Sequence, residues 1–341
     1  MRKLLILSAL SLLVGGVLLW TAWHRYQAFL QTPLNLPPEG YVFQLQPGTS
    51  GQRIVEQLAE AGLTAGGWEW RLLMRLEPHV YRAGEYRLTS GTKPPGLLGQ
   101  LASGKVIEYR LTLVEGWTFS RFAEELTAND VLEHDFDLTG KEGQATAAEA
   151  LGLEHPEGWF LPETYVFTRG DSDFDILLRA HRAMQKALDG AWQARDESLP
   201  LETPYQLLIL ASIVEKETAV ASERSRIAGV FVRRLERGMR LQTDPTVIYG
   251  LGDSFDGDLR RRDLDTDTPY NTYTRHGLPP TPIAMPGRAA LLATAQPAHE
   301  DALYFVADGH GGHTFSSTLE AHLAAVRKLI EKQNAGNVHN D

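Results

Sequence analysis

The chain has 341 residues, 43% of them apolar and 22% charged, enough to bury two packed cores. A formal net charge of −10 without any basic block argues against nucleic acid as a partner. The absence of cysteine excludes disulfides, thiol catalysis and cysteine-ligated metal.

Arg2 and Lys3 precede an uncharged apolar run from Leu4 to Trp23, which His24 and Arg25 close. At about 1.5 Å rise per residue such a run spans a hydrocarbon core of roughly 30 Å, so residues 1–25 read as a single transmembrane anchor. A cleaved signal peptide has a shorter apolar core, about 7–15 residues, and a small-x-small site that is missing after this run. Positive charge precedes the run, and none follows between Arg25 and Arg53. The N-terminus is therefore expected in the cytoplasm and the rest of the chain outside it. Residues 26–41, with Pro33, Pro37 and Pro38, read as a semi-extended linker that does not pack.

An internal echo follows. Phe43-x-Leu45-x-x-Gly48-Thr49 with Gln57-Leu58-Ala59 recurs as Tyr86-x-Leu88-x-x-Gly91-Thr92 with Gln100-Leu101-Ala102, and more weakly as Leu111-x-Leu113-x-x-Gly116-Trp117 with Leu126. Each copy predicts a short alternating strand, a glycine turn and an amphipathic helix. Residues 42–105 thus resemble a LysM-type module, which implies glycan binding or, more plainly, a packed spacer. Residues 106–333 form a second, mixed segment with helices predicted at 119–126, 173–189, 205–218, 222–237 and 317–332. Ser222 reads as an N-cap and Gly238 as a stop. Loops are expected across 242–287, and residues 334–341 as a polar tail.

Within the second segment, Leu207-Leu208-Ile209-Leu210-Ala211-Ser212 is apolar around nearly its whole circumference, as a buried helix is. It runs into Ile213-Val214-Glu215-Lys216-Glu217-Thr218. Acids at the end of a buried helix are either an ion-pair lattice or a catalytic acid. Four clusters accompany them: Gly158–Tyr165, which contains Glu163; Leu241–Tyr249, which contains Gln242, Thr243, Asp244, Thr246 and Tyr249; Tyr270-Asn271-Thr272-Tyr273 leading to Gly277-Leu278-Pro279-Pro280; and Gly309–Phe315, which contains His310 and His313. Aromatic rings beside amides and hydroxyls suit a carbohydrate groove, since rings stack on sugar faces while polar groups fix hydroxyls. His310 and His313 lack the helical spacing of a zinc pair, so no metal is expected.

The segments ASIVEKETAVASER, GMRLQTDPTVIYG, YNTY, GLPP and GGHTF, in this order, closely resemble the bacterial endolytic murein transglycosylases. The resemblance covers essentially the full length. It implies an α+β protein with one transmembrane helix, a LysM-like module and a mixed α/β catalytic domain holding a buried acidic helix. It also implies an inner-membrane enzyme whose catalytic domain is periplasmic and cuts the β-1,4 bond between N-acetylmuramic acid and N-acetylglucosamine in nascent peptidoglycan glycan strands. Such a cut leaves 1,6-anhydro ends and terminates strands without any cofactor, beside the penicillin-binding proteins of the elongation machinery. A non-catalytic glycan-binding assembly factor and a water-using muramidase are the alternatives.

This reaction needs a single carboxyl group, because the muramoyl 6-hydroxyl supplies the nucleophile that ordinary glycosidases draw from water or a second acid. Glu215 and Glu217 are two apart on a helix and point about 200° away from each other, so they are not expected to share a site. Other lytic transglycosylases carry Glu followed by Ser at the end of an apolar helix, and Glu217-Thr218 matches that register. Glu217 is therefore the expected catalytic acid and Glu215 its support or alternative. Gln242, Thr243, Asp244, Thr246, Tyr249, Tyr270, Asn271, Tyr273, Glu163 and His313 are the expected substrate contacts.

Overall fold

The computed structural model describes residues 2–337, so the last four residues of the expected tail lie outside it. The chain divides into two compact units, residues 1–109 with 166–170 and residues 110–165 with 171–341.

In the first unit, α1 (Arg2–Gln31) leads to β1 (Tyr41–Leu45), α2 (Gly51–Glu60), α3 (Trp68–Leu76), β2 (Gly84–Leu88) and α4 (Pro94–Ser103). Residues 6–31 of α1 are long and apolar enough to cross a membrane, with side chains such as Leu12 and Leu19 exposed. The helix runs past the expected end of the anchor, and its last turns are packed. Tyr26 is 4% exposed, Phe29 meets Trp70 edge-on at 5.2 Å, and Arg25 pairs with Glu69 at 2.5 Å. Leu34 is buried too, and its N–H donates to Thr92 O at 2.8 Å. The segment after Arg25 is therefore not an unpacked spacer. Its apolar residues bury against the unit's core, and proline merely keeps residues 33–40 out of a helix.

The echo in the sequence is a repeat in space. β1 and β2 pair antiparallel with Phe43 opposite Tyr86, and the alternation turns Phe43, Leu45, Tyr86 and Leu88 to the core. After each strand the same turn forms. Thr49 N–H donates to Gln46 O, Thr92 N–H to Thr89 O, and Trp117 N–H to Val114 O. The residue before each donor is Gly48, Gly91 or Gly116, all with φ between 75° and 88°, where a side chain would be strained. Leu58 and Leu101 then bury the helices that follow.

In the second unit, β3 (Tyr109–Thr112), which starts in the first, precedes α5 (Phe119–Thr127) and α6 (Lys141–Ala150) and pairs with β4 (Thr164–Phe167), whose last two residues belong to the first. Next come α7 (Asp173–Gln193), α8 (Pro204–Glu217), α9 (Arg224–Glu236), α10 (Asp244–Leu251), α11 (Arg261–Asp265) and α12 (Arg288–Ala295). The hairpin of β5 (Tyr304–Ala307) and β6 (His313–Ser316) and the helix α13 (Leu319–Asn337) close the unit. α8 is its axis. Thr203 caps it by accepting from Gln206 N, Pro204 opens it, and the eight residues Leu207–Val214 are all buried, among α7, α9 and α12.

Two local expectations differ from the structure. Ser222 sits in a 3₁₀ turn, Ala221–Glu223, and does not cap α9, which starts at Arg224 without a side-chain cap. The stretch 242–287 is not all loop: α10 and α11 lie in it, because Pro245 at the first turn of α10 nucleates a helix as readily as a turn.

Candidate active site

α8 ends at Glu217 because Thr218 turns extended (φ −148°), and the Thr218 hydroxyl accepts the Val220 N–H at 3.0 Å. The last turn of α8 opens onto a cleft of about 410 Å³ whose walls include Glu115, Gly116, Glu215, Lys216, Glu217 and Arg224. Both acids of the hexapeptide line this cleft. Their opposed directions on the helix do not separate them, since the cleft passes the helix end rather than one face.

Their surroundings do separate them. Glu215 Oε2 accepts from Gly287 N at 2.9 Å, and its other oxygen stands 3.7 Å from Arg224 Nη2. Burial raises its pKa, and the Gly287 N–H opposes that rise. Glu217 Oε1 accepts from the hydroxyl of Thr243. Burial pushes the Glu217 carboxyl up to about 7, helped by Asp244 and opposed by the Thr243 bond, His313 and Arg234. Its acid form therefore persists to neutral pH, as a general acid requires.

Thr243 is held with unusual thoroughness. Its N–H donates to Thr272 Oγ1 at 3.1 Å, its carbonyl accepts from Thr246 Oγ1 at 2.7 Å, and Thr246 and Thr272 share a further hydroxyl bond at 2.8 Å. Just before it, Gln242 has φ +50°, the one non-glycine residue with positive φ among those described. Strain of this kind, about 1–3 kcal/mol, persists only where the surroundings over-determine it. Here the buried Arg234 does so: its guanidinium donates to Leu241 O at 2.7 Å, to Leu303 O at 2.8 Å and to Gln242 Oε1 at 3.5 Å.

The residues named in the sequence fall into two groups. Glu217, Thr243, Asp244, Tyr273 and His313 come together: the Tyr273 hydroxyl donates to Asp244 Oδ1 at 2.5 Å, and Asp244 and His313 both act on Glu217. His313 is positioned by Glu223, which takes its N–H at 2.8 Å and faces its Nδ1 at 2.7 Å. Gly312 leaves room for that approach, since a Cβ there would lie 2.9 Å from Glu223 Oε1.

The other named residues are held by partners outside that cluster. Asn271 is fully buried; its amide donates to the carbonyls of Asp263, Leu264 and Thr266, and its oxygen accepts from Tyr273 N. It clamps its loop. Thr246 is likewise buried and bonded to Thr243 and Thr272. Tyr249 donates to Glu157 at 3.1 Å, Tyr270 is bonded to Thr281 at 2.9 Å, and Glu163 pairs with Arg288 at 2.9 Å. Glu157, Glu223, Thr272 and Arg234 went unremarked as site residues in the sequence. Only Glu157, a lone acid opening the apolar Gly158–Pro162 stretch, carried a signal.

Known proteins match this chain closely enough to place it. The model of the YceG-like family matches residues 43–328. The endolytic murein transglycosylase of Bacillus subtilis is 30% identical over 271 residues, 74% of this chain and 74% of that protein. Its namesake in Streptococcus pneumoniae is 28% identical, over 90% of this chain and 61% of its own length. The 2.6 Å crystal structure of a yceG-like protein from Listeria monocytogenes is 29% identical and superposes with a TM-score of 0.53, covering 84% of this chain and 99% of that one. On the extent of the family match, which takes in both units, the chain belongs to the YceG-like family.

Proposed function

We propose that the chain cuts glycan strands of nascent peptidoglycan at the bond between N-acetylmuramic acid and N-acetylglucosamine, with Glu217 as its one acid–base group. Membership and the relatives' shared name make it a peptidoglycan lytic transglycosylase. The observation that carries the finer reading is the Glu217 carboxyl: half-buried, its pKa raised to about 7, steadied by Thr243, and set on the wall of a cleft.

Glu217 gives its proton to the glycosidic oxygen as the C1–O4 bond breaks. The resulting carboxylate takes the proton of the 6-hydroxyl as its oxygen closes on C1, which restores the acid and leaves a 1,6-anhydro end. Asp244 and Tyr273 would orient the sugar beside it, and His313 would steady the carboxylate formed in the first step. The other acids named in the sequence are engaged: Glu215 with Gly287 and Arg224, Glu163 with Arg288, Asp244 with Tyr273. With those acids held, the muramoyl 6-hydroxyl rather than an activated water is taken as the nucleophile. The helix α1 would anchor the enzyme in the inner membrane with the rest outside the cytoplasm, next to penicillin-binding proteins, and the repeat of the first unit would serve as a LysM-like glycan holder.

Mass spectrometry of products from uncrosslinked glycan strands tests the reading. Anhydro ends lack the one water that a muramidase adds, and a non-catalytic assembly factor gives no product. Hydrated ends from the purified full-length protein would overturn it.

A further inference from the structure

Glu157 lies outside the clusters assigned to substrate, yet it is 4% exposed and fully engaged. One carboxyl oxygen accepts from the backbone N–H of Phe119 at 3.0 Å, the other from the Tyr249 hydroxyl at 3.1 Å. The Gly158 N–H also bonds it, and the Lys216 ammonium acts on it from α8. Three pieces of backbone thus meet on one group: the first turn of α5, the turn at 157–158 and α10. The start of α10 is Asp244, directly after the threonine that steadies Glu217. Tyr249 extends the connection further, because its ring meets Tyr270 edge-on at 4.9 Å.

We infer that Glu157 is a positioning residue for glycan cleavage, which through Tyr249 sets α10, and with it Thr243 and Asp244, against Glu217. The inference rests on the reading of Glu217 as the acid. A helix of eight residues has little packing of its own to fix its place, and only Thr246 and Val247 of α10 are buried. A hydrogen bond from its last turn to a group anchored on α5 supplies a second point of attachment, and two points fix an orientation where one does not.

The charge state of Glu157 makes the role measurable. Burial raises its carboxyl to about 8, against the pull of the Tyr249, Phe119 and Gly158 donors and of Lys216. It is therefore largely neutral at pH 7 and below. Above that it becomes a carboxylate in a place water does not reach, and Lys216, whose ammonium donates to Gly116 O on the cleft wall at 3.1 Å, is the cation it draws. The alkaline fall in kcat/KM should therefore follow two ionisations, Glu217 first and Glu157 second.

The test is a pH profile from 5 to 9 of anhydro-product formation by full-length wild type, Glu157→Gln and Tyr249→Phe, with thermal unfolding recorded for each. Gln is neutral and of the same shape, so the variant should lose the second ionisation. At pH 9, one unit above the Glu157 value of about 8, that ionisation costs the wild type roughly tenfold. The activity ratio of variant to wild type should thus rise roughly tenfold between pH 6 and 9. Tyr249→Phe removes the tie and should lower kcat several-fold with KM kept and the unfolding midpoint nearly unchanged. An equally steep limb in Glu157→Gln, or wild-type kcat in Tyr249→Phe, overturns the inference. Should Glu217→Gln remain active, the reading of Glu217 fails instead. Glu157 is then judged by stability alone, in a Glu217→Gln background. Stability there should fall more steeply between about pH 4.5 and 8 while Glu157 is present than once Glu157→Gln is added; parallel curves refute its neutrality.

Discussion

Replacing Glu217 by Gln should move activity and stability in opposite directions. Gln keeps the shape and still accepts the Thr243 hydroxyl, but it has no proton to give. Loss of a general acid–base group costs about 10²–10⁴-fold in kcat, or roughly 3–5 kcal/mol of transition-state stabilisation. Stability follows from proton linkage. The native carboxyl titrates at about 7 and the unfolded one near 4.5, so the folded state holds its proton more tightly. A raised pKa gives stability that is complete below pH 4.5 and lost as the pH rises through 7. At about 1.4 kcal/mol per unit, the loss between pH 4.5 and 8 is on the order of 3 kcal/mol, and the Gln variant escapes it. In a unit of this size that is about 6–12 °C of unfolding midpoint. The assay pairs anhydro-product analysis with thermal unfolding at pH 5 and pH 8. Undiminished anhydro ends refute the catalytic assignment, and a variant whose midpoint tracks the wild type across that range refutes the raised pKa.

Other perturbations test the rest of the site. Thr243→Val removes the one donor to Glu217 that lowers its pKa most, so the alkaline limb of the pH profile should shift upward while kcat falls about tenfold or more, as read in initial rates. Glu215→Gln keeps an acceptor for the Gly287 N–H and should cost less than about tenfold in kcat; a loss as large as that of Glu217→Gln would exchange the roles of the two acids. Gln242→Val places a β-branched residue at φ +50° and should destabilise the protein by about 1–3 kcal/mol in denaturant unfolding. Leu210→Ala, in the fully buried stretch of α8, should cost about 2–5 kcal/mol in the same measurement.

The structure also changes how the aromatic and polar clusters are read. Sugar-binding composition and loop-building composition overlap, because Asn, Thr and Tyr serve both. Asn271 and Thr246 illustrate the overlap: each commits its polar atoms to neighbouring backbone or hydroxyls so that Thr243 and Tyr273 are held in place. Carbohydrate grooves are built from such supports as much as from the groups that touch the ligand.

By itself the sequence determined the elements whose signals are local. An uncharged, mostly apolar run of twenty residues between charged flanks specifies a helix long enough for a bilayer, whatever surrounds it. The Phe43 and Tyr86 repeats specify strand, glycine turn and helix, since side-chain alternation and a positive φ are properties of a few consecutive residues. The all-round apolar face of α8 likewise specifies burial. What only the tertiary structure decided are the meetings between residues far apart in the chain. It brought Thr243 to Glu217, Gly287 to Glu215, Glu223 to His313 and Tyr249 to Glu157. A carboxyl group's proton affinity depends on those partners and on its exclusion from water, and neither can be read from its immediate neighbours. Two glutamates two residues apart, alike in sequence, thus differ because folding gave one a backbone amide beside an arginine and the other the hydroxyl of Thr243.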